Sequence, residues 1–193
     1  MLGIQSAQFI RASGKSVAKN ETIHYQGRFL GLQERDRWEY AYRTNASGVV
    51  VLVPVTATDE LILVEQYRIP VRSRVMELPA GLAGDTGDRE EDLKTAAQRE
   101  LIEETGYRAG FLDELLTCPS TPGMSDEIIT IYFAGDLERV GVGGGDGDES
   151  ITVHHVPLAS ASEWLAARMA EGIMIDPKIY AGLFWAAQRS RPV

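Results

Sequence analysis

Two apolar runs in the first half of the chain constrain its fold most strongly. Residues 49–55 read VVVLVPV and residues 61–67 read LILVEQY, and the turn-prone segment 56–60 separates them. Short runs of β-branched and apolar residues that are bounded by turn residues are typical of strands buried in a core. We therefore predict two buried strands in this region, joined by a short turn.

The remaining segments predict strands, one helix, further strands and then helices, an order that indicates an α+β sandwich. Residues 91–104 are rich in helix formers, and their apolar residues recur at helical spacing. Residues 79–88 hold one proline and three glycines and are predicted to form a loop. The other predicted elements are short β pieces within residues 1–45, strands at 75–78, 128–133 and 151–156, a helix to about residue 170 that begins with the capping-box pair Ser160 and Glu163, and a last helix from about 176 to 188.

Size and charge exclude several classes of protein. A chain of 193 residues favours one domain with at most a small appendage. The formal net charge of −9, without a run of Lys or Arg, disfavours nucleic-acid binding. A single cysteine excludes an intramolecular disulfide, and with only three histidines it excludes Cys/His zinc clusters. No apolar stretch has the length of a bilayer span or a signal peptide, so we expect a cytoplasmic protein without membrane contact.

Three glutamates share one face of the first predicted helix. Within residues 99–106 (RELIEETG), Glu100, Glu103 and Glu104 stand at positions i, i+3 and i+4. Like charges at this spacing destabilise an isolated helix, whereas Mg²⁺ prefers oxygen ligands and bridges carboxylates to phosphates. The pattern therefore indicates a divalent-cation site. The alternative interpretation is a solvated acidic helix face, which is common in proteins.

The residues between these glutamates predict how the helix is oriented. Leu101 and Ile102 are expected to form the opposite face, which packs on the sheet. Arg99 lies four residues before Glu103 and is placed to orient that carboxylate by an ion pair.

This part of the sequence resembles the Nudix box. The matching positions are Glu91 and, after seven intervening residues, the segment 99–107 with the pattern RELxEExGY. Gly81 is the candidate leading glycine, but the nine residues 82–90 that follow it exceed the family's interval by four. With Gly84 as the leading glycine the interval holds six residues, which is closer to the family pattern but not identical to it. Neither choice moves the carboxylates, which all lie downstream on the helix.

The resemblance implies a Nudix-type α/β/α sandwich that hydrolyses a nucleoside diphosphate linked to another group, with Mg²⁺ or Mn²⁺ as cofactor. By similarity, Glu100 and Glu104 are the principal metal ligands, Glu103 assists them, and the carbonyl oxygen of Ala80 completes the site. Arg99 and Glu103 are assigned to the catalytic machinery on the same ground. A bound divalent ion would neutralise the diphosphate and activate a water molecule.

Further segments resemble the branch that contains pyrophosphatases of ADP-ribose and nucleotide sugars. These are residues 77–81 (ELPAG), residues 66–68 (QYR) and Pro122 in the turn-like stretch 121–123. Loops with proline and glycine are also ordinary turns, so Pro122 has that alternative interpretation. Its assignment to substrate binding therefore depends on the resemblance.

A segment near the N-terminus resembles the part of this branch that holds the nucleobase. Trp38 and Glu39, followed by Arg43, are the residues concerned. A tryptophan offers a large surface for stacking, and Arg43 and Arg68 suit the recognition of phosphate or ribose. The alternative for Trp38 is a core aromatic residue on a strand.

Glu149 is the candidate general base, because a glutamate in this region of related enzymes activates the attacking water. It follows the glycine-rich acidic segment 141–148 (GVGGGDGD), which could bring a base within hydrogen-bond reach of that water. Asp146 and Asp148 are alternative bases, and a solvated surface loop is the alternative to any catalytic role.

The sequence thus predicts hydrolysis of ADP-ribose or a related nucleoside diphosphate sugar to a nucleoside monophosphate and a sugar phosphate. We divide the chain into a β segment, residues 1–45, that serves as a dimerisation element, and a Nudix hydrolase domain, residues 46–193, and we expect a homodimer. Two alternatives are a non-catalytic module that binds a nucleotide as a sensor, and an enzyme that cleaves caps on RNA. The net charge disfavours the second.

Overall fold

The computed structural model describes residues 21–145 and 150–189, which form three β-sheets and three α-helices. The strands are β1 Glu21–Gln26, β2 Leu30–Arg35, β3 Trp38–Arg43, β4 Gly48–Pro54, β5 Glu60–Arg68, β6 Ser73–Glu77, β7 Ala80–Ala83, β8 Tyr107–Pro119, β9 Ile128–Arg139, β10 Thr152–Pro157 and β11 Met174–Ile175. The helices are α1 Leu93–Thr105, α2 Ala161–Ala170 and α3 Lys178–Arg189.

Strand β4 shows how the layers are arranged, because both of its faces are buried. Its odd-numbered side chains, Val51 and Val53, pack in the core between the sheets β7-β4-β9-β8 and β10-β5-β6-β11, which also receives residues of α2 and α3. Its even-numbered side chains, Val50 and Leu52, pack against Ala97 of α1 on the outer face. Alternation along one strand therefore places helices on both sides of the sheets. The predicted α+β class and the layered sandwich are confirmed.

The N-terminal strands form a sheet of their own, in the antiparallel order β1-β2-β3. Its backbone is joined to the rest of the chain at Ala41, whose N–H donates to the carbonyl of Met124 at 2.9 Å. The carbonyl of Ala41 in turn accepts from the N–H of Asp126 at 3.3 Å. Of the predicted β segment, residues 1–20 lie outside the described residues.

Part of the predicted loop at 79–88 is a strand. Ala80–Ala83 is β7, which pairs antiparallel with β4 in a register that sets Val50 opposite Gly81 and Val51 opposite Ala80. The composition of this segment predicted a loop, but pairing with a buried neighbouring strand outweighs local propensity.

Two details of the other elements also differ from the prediction. Strand β8, where the sequence predicts no element, has 13 residues, and its side chains are half-buried or exposed. Helix α2 begins where predicted, but the Ser160 side chain makes no capping hydrogen bond, because the short 3-10 turn Leu158–Ser160 leads directly into the helix. None of the described helices has the length and apolarity that a membrane crossing requires.

Candidate active site

Helix α1 carries most of the predicted site residues, and local interactions fix both of its ends. The Asp92 side chain accepts from the N–H groups of Lys94 and Thr95 at 3.0 and 3.3 Å, which satisfies free donors of the first turn. The helix ends at Thr105, and the next residue, Gly106, has a φ of 76°, in the left-handed region that favours glycine.

The sequence predicts that the glutamates lie opposite the packed face of α1. In the structure, however, Glu104 lies on that packed face. Glu104 is only 4% exposed and follows the buried Ala97 and Leu101 along the face that contacts the sheet, whereas Ile102 is half-buried. The Glu104 carboxylate accepts from the N–H of Ala80 at 3.0 Å. Strand β7 and helix α1 therefore hold this carboxylate between them.

Glu100 lies directly against the backbone of β7. A Cβ atom added at Gly81 would lie 1.9 Å from the carboxyl carbon of Glu100, so only glycine leaves room for this side chain. Burial raises the pKa of Glu100 to about 7, although the charge and hydrogen bond of Arg99 act in the opposite direction. The site thus keeps a carboxyl group in an environment that disfavours its negative charge.

We predict that Gly81→Ala lowers kcat/KM about a hundredfold, because the new methyl group displaces the Glu100 carboxyl group. Steady-state kinetics on the substrate that we propose for this cleft measures this effect. Thermal unfolding is the control, since the fold should persist when a flexible side chain moves aside. Unchanged kinetics would show that the position of Glu100 is unimportant.

Arg99 connects the acidic side chains around the N-terminal part of the site. Its guanidinium donates to Glu100 at 2.7 Å, to Glu103 at 3.0 Å and to Glu91 at 3.1 Å, and also to the carbonyl of Leu82 at 2.8 Å. Burial alone would lower the pKa of Arg99, but these glutamates outweigh burial and raise it. Arg99 is therefore permanently charged and holds these three carboxylates close to one another.

The long interval before Glu91 forms a loop whose residues also contact Glu91 and Arg99. The N–H of Gly84 donates to Glu91 at 3.0 Å, and Asp85 lies 3.4 Å from Arg99. The hydrogen bond from Arg99 is the main reason that the pKa of Glu91 lies below its usual range. Gly81 and Gly84 thus have separate contacts, the first with Glu100 and the second with Glu91.

A cleft of about 560 Å³ brings the carboxylates together with cationic side chains. Arg43 pairs with Glu127 at 2.5 Å, and Arg68 pairs with Glu77 at 2.8 Å. The cationic side chains that line the cleft are Arg43, Arg68, Arg99 and Lys178. The acidic ones are Glu77, Asp85, Glu100, Glu103, Glu104 and Glu127.

Sequence reasoning missed Lys178 and Glu127 as residues of this cleft. Lys178 is the first residue of α3, and its Nζ lies 2.5 Å from the carboxylate of Asp176, which caps that helix. Lys178 and Glu127 both lie outside the motif of residues 91–107, and no local sequence pattern identifies them as residues of the cleft. Only the tertiary structure brings them to the cleft.

Three predicted substrate-binding residues are not among the residues that line this cleft: Trp38, Glu39 and Pro122. Trp38 is 63% exposed on β3, so the alternative of a core aromatic residue is wrong. Its indole N–H lies 3.4 Å from the carbonyl of Gly123, which places the ring beside the turn that contains Pro122. Glu39 is exposed on the same strand.

Glu149, the predicted base, lies outside the described residues, as do Asp146 and Asp148. The flanks of this segment are described and lie close to each other. The N–H of Ile151 donates to the carbonyl of Gly144 at 3.1 Å.

The donor chemistry of the cleft fits a hard divalent cation. The side chains of Glu100, Glu103 and Glu104 and the backbone of Ala80 offer only oxygen ligands. Six carboxylates face four cationic groups in the cleft, so it would repel a diphosphate without added positive charge. Within residues 21–145 and 150–189, no three His, Cys, Asp or Glu side chains already converge as a finished metal site. In this arrangement the carboxylates of Glu100 and Glu103 both contact the positively charged guanidinium of Arg99.

Comparisons with known proteins show which sequences and which fold this chain resembles. The chain is 34% identical over 119 residues to a methanol dehydrogenase activator of Bacillus methanolicus, covering 61% of this chain and 62% of that protein. It is 33% identical over 125 residues to an ADP-ribose pyrophosphatase of Bacillus subtilis, covering 63% of this chain and 64% of that protein. The chain thus matches less than two thirds of the length of either relative.

A solved structure and a family model extend the comparison. The crystal structure of an ADP compounds hydrolase superposes with a TM-score of 0.67 and 24% sequence identity, over 90% of this chain and 95% of that one, which shows a shared fold. The model of the NUDIX domain matches residues 46–174, which include α1 with Glu100, Glu103 and Glu104. The chain therefore belongs to the NUDIX domain family.

Proposed function

We propose that this protein hydrolyses the diphosphate linkage of ADP-ribose or a related nucleoside diphosphate sugar, with Mg²⁺ or Mn²⁺ as cofactor. The products would be a nucleoside monophosphate and a sugar phosphate. One observation carries the proposal: the glutamates of α1 and the guanidinium groups of Arg43 and Arg68 line the same cleft. The name of the Bacillus subtilis relative supports the choice of substrate class.

In this proposal Glu100, Glu103 and Glu104 hold the cation, together with the carbonyl oxygen of Ala80. When bound, a divalent ion supplies Lewis-acid polarisation of the phosphoryl oxygens and activates water. Arg99 positions Glu100 and Glu103 through the hydrogen bonds described above. Its role is therefore to limit the movement of the carboxylates.

Arg43 and Arg68 are proposed to bind phosphate or ribose oxygens. Each pairs with a glutamate through its Nε–H, at 2.5 Å for Glu127 and 2.8 Å for Glu77. A guanidinium has five N–H donors, so the terminal nitrogen atoms can still bind a phosphate. The glutamates hold each arginine in place before the substrate arrives, which lowers the entropic cost of binding.

Trp38, Glu39 and Pro122 are proposed to bind the nucleobase end of the substrate. The exposed indole of Trp38 offers a flat surface for stacking, and it lies beside the turn of Pro122. Glu149 is proposed as the general base that takes a proton from the attacking water.

A panel of substrates tests the proposal. The protein is incubated with Mg²⁺ and, separately, ADP-ribose, an ADP-linked hexose, a GDP-linked hexose and a dinucleoside diphosphate, and products are resolved by ion-exchange chromatography. We expect AMP and ribose 5-phosphate from ADP-ribose. Binding of a nucleotide sugar without any product would instead favour the sensor module.

We also propose that residues 1–45 form a dimerisation element and that the occupant of its apolar surface is a second copy of this chain. The described residues of this segment expose large apolar side chains, and the sheet that they form has few contacts with the rest of the chain. Tyr25 and Leu32 face each other across β1 and β2, and both are exposed. Exposed apolar patches of this kind mark protein contacts. The exposed residues are Ile23, Tyr25, Phe29, Leu30, Leu32 and Trp38.

We predict a solution mass of about twice the 21.2 kDa of one chain, measured by light scattering after size exclusion. The double variant Tyr25→Ser/Leu32→Ser should elute as a monomer. Phe184→Ser is the matched control, because Phe184 is a similarly exposed aromatic residue on α3. A wild-type monomer would disprove the dimer, and dissociation by the control variant would place the interface elsewhere.

A further inference from the structure

The C-terminal end of α1 is completed by a segment from another part of the chain. The last carbonyl groups of a helix lack partners within the helix. The N–H of Gly106 binds the carbonyl of Ile102 at 2.9 Å, as expected for a helix that ends at glycine. The next two carbonyls, those of Glu103 and Glu104, accept from the N–H groups of Gly145 at 3.1 Å and Gly144 at 2.9 Å.

The same segment is also bound at its start. The carbonyl of Gly106 accepts from the N–H of Val140 at 2.9 Å and from the N–H of Gly141 at 3.0 Å. Four backbone hydrogen bonds therefore hold residues 140–145 against the end of α1. We call residues 140–145 the capping segment.

The close approach of the two backbones depends on glycine at two positions. A Cβ atom at Gly143 would lie 2.5 Å from the carbonyl carbon of Thr105 and 2.8 Å from the carbonyl oxygen of Glu104. A Cβ atom at Gly106 would lie 2.4 Å from the carbonyl oxygen of Gly141. Both glycines also have left-handed backbones, with φ of 70° at Gly143 and 76° at Gly106.

The α1 carbonyls that Gly144 and Gly145 of the capping segment bind belong to Glu103 and Glu104, two of the three glutamates of the proposed cation site. The backbones of Glu103 and Glu104 are thereby fixed in the last turn of the helix, the part that opens most readily when it is uncapped. Their side chains are held separately, Glu103 by Arg99 and Glu104 by the N–H of Ala80. The arrangement supports each glutamate through both its backbone and its carboxylate.

We propose that Gly143 is a positioning residue, which lets the capping segment fix the last turn of α1 and so preorganises Glu103 and Glu104 for a divalent cation. The inference rests on the proposed function, because the ligand roles of the two glutamates belong to that proposal. Groups that orient metal ligands without touching the metal commonly change its affinity by ten- to a hundredfold, roughly.

The first test compares Gly143→Ala with Gly172→Ala. Gly172 has a φ of 89°, but a Cβ there would meet nothing within 4 Å, so this control has left-handed strain without a contact. Binding of Mn²⁺ alone is measured by the electron paramagnetic resonance signal of the free ion. We expect Gly143→Ala to weaken Mn²⁺ affinity about tenfold and Gly172→Ala to leave it unchanged.

The second test uses the wild-type protein and does not depend on a variant that folds. Coupling between two binding events is reciprocal, so a cation that favours the capped state must be favoured by it. Saturating Mg²⁺ should therefore slow the hydrogen exchange of the amides of Gly144 and Gly145 by up to about tenfold, followed by NMR.

Two results would overturn the positioning role while the proposed function stands. One is equal Mn²⁺ affinity of Gly143→Ala and wild type, and the other is amide exchange at Gly144 and Gly145 that ignores bound Mg²⁺. If the wild type binds no Mn²⁺ at all, the proposed metal site and this inference both fail. In that case, slow exchange of the amides of Gly144 and Gly145 would show only that the capping segment binds the end of α1.

Discussion

Replacing Glu104 by glutamine is expected to lower kcat/KM about a thousandfold, which corresponds to about 4 kcal/mol of transition-state stabilisation. The substitution keeps the size of the side chain and an oxygen that can accept from the N–H of Ala80. It removes the negative charge that the proposed cation requires. Because Glu104 is almost fully buried, no neighbouring exposed carboxylate can easily take its place.

The same substitution should leave stability unchanged or raise it. Glu100, Glu103 and Glu104 repel one another on one helix, and removing one charge relieves this repulsion. Glu114→Gln on β8 is the matched control, since it removes a charge outside the cleft. Thermal unfolding and steady-state kinetics of the two variants separate the effects. Wild-type turnover of Glu104→Gln at saturating Mg²⁺ would refute the ligand role.

Replacing Glu149 by glutamine is expected to reduce kcat about a thousandfold with little change in KM. General-base catalysis contributes about 10² to 10⁴ in rate, and a base that acts only on water makes no contribution to substrate binding. Affinity for Mn²⁺ should also stay unchanged, because the proposed ligands lie on α1 and β7. This combination distinguishes a base from a metal ligand.

Asp146→Asn and Asp148→Asn are the controls for Glu149, since either aspartate is an alternative base in the same acidic segment. We expect both variants to keep most of the wild-type turnover. A large loss in one of them, together with a normal rate for Glu149→Gln, would transfer the role to that aspartate.

The acidic helix could be predicted from sequence because its signals are local. Residues 91–104 are rich in helix formers, and Leu93, Ala97 and Leu101 recur at helical spacing within this one segment. The depth of burial could not be predicted in the same way. Glu104 lies on the packed face because β7 offers a backbone N–H there, and that strand depends on pairing with β4.

The cationic side of the cleft illustrates the limit of sequence reasoning. Arg43 and Arg68 were identified through a family resemblance, but their partners Glu127 and Glu77 follow from the tertiary fold. The capping segment is similar: GVGGG reads as a flexible loop, yet its glycines pack closely on the end of α1. The glycine-rich composition indicated a flexible backbone, whereas in the structure the glycines allow the backbone to approach the end of α1 closely.

A crystal structure with Mg²⁺ and a nonhydrolysable, methylene-bridged analogue of ADP-ribose is the most direct test of whether this cleft binds a divalent cation beside its substrate. We expect electron density for at least one cation between the analogue's phosphonate oxygens and the carboxylates of Glu100, Glu103 and Glu104. An analogue bound in the cleft with no cation beside these three carboxylates would contradict it.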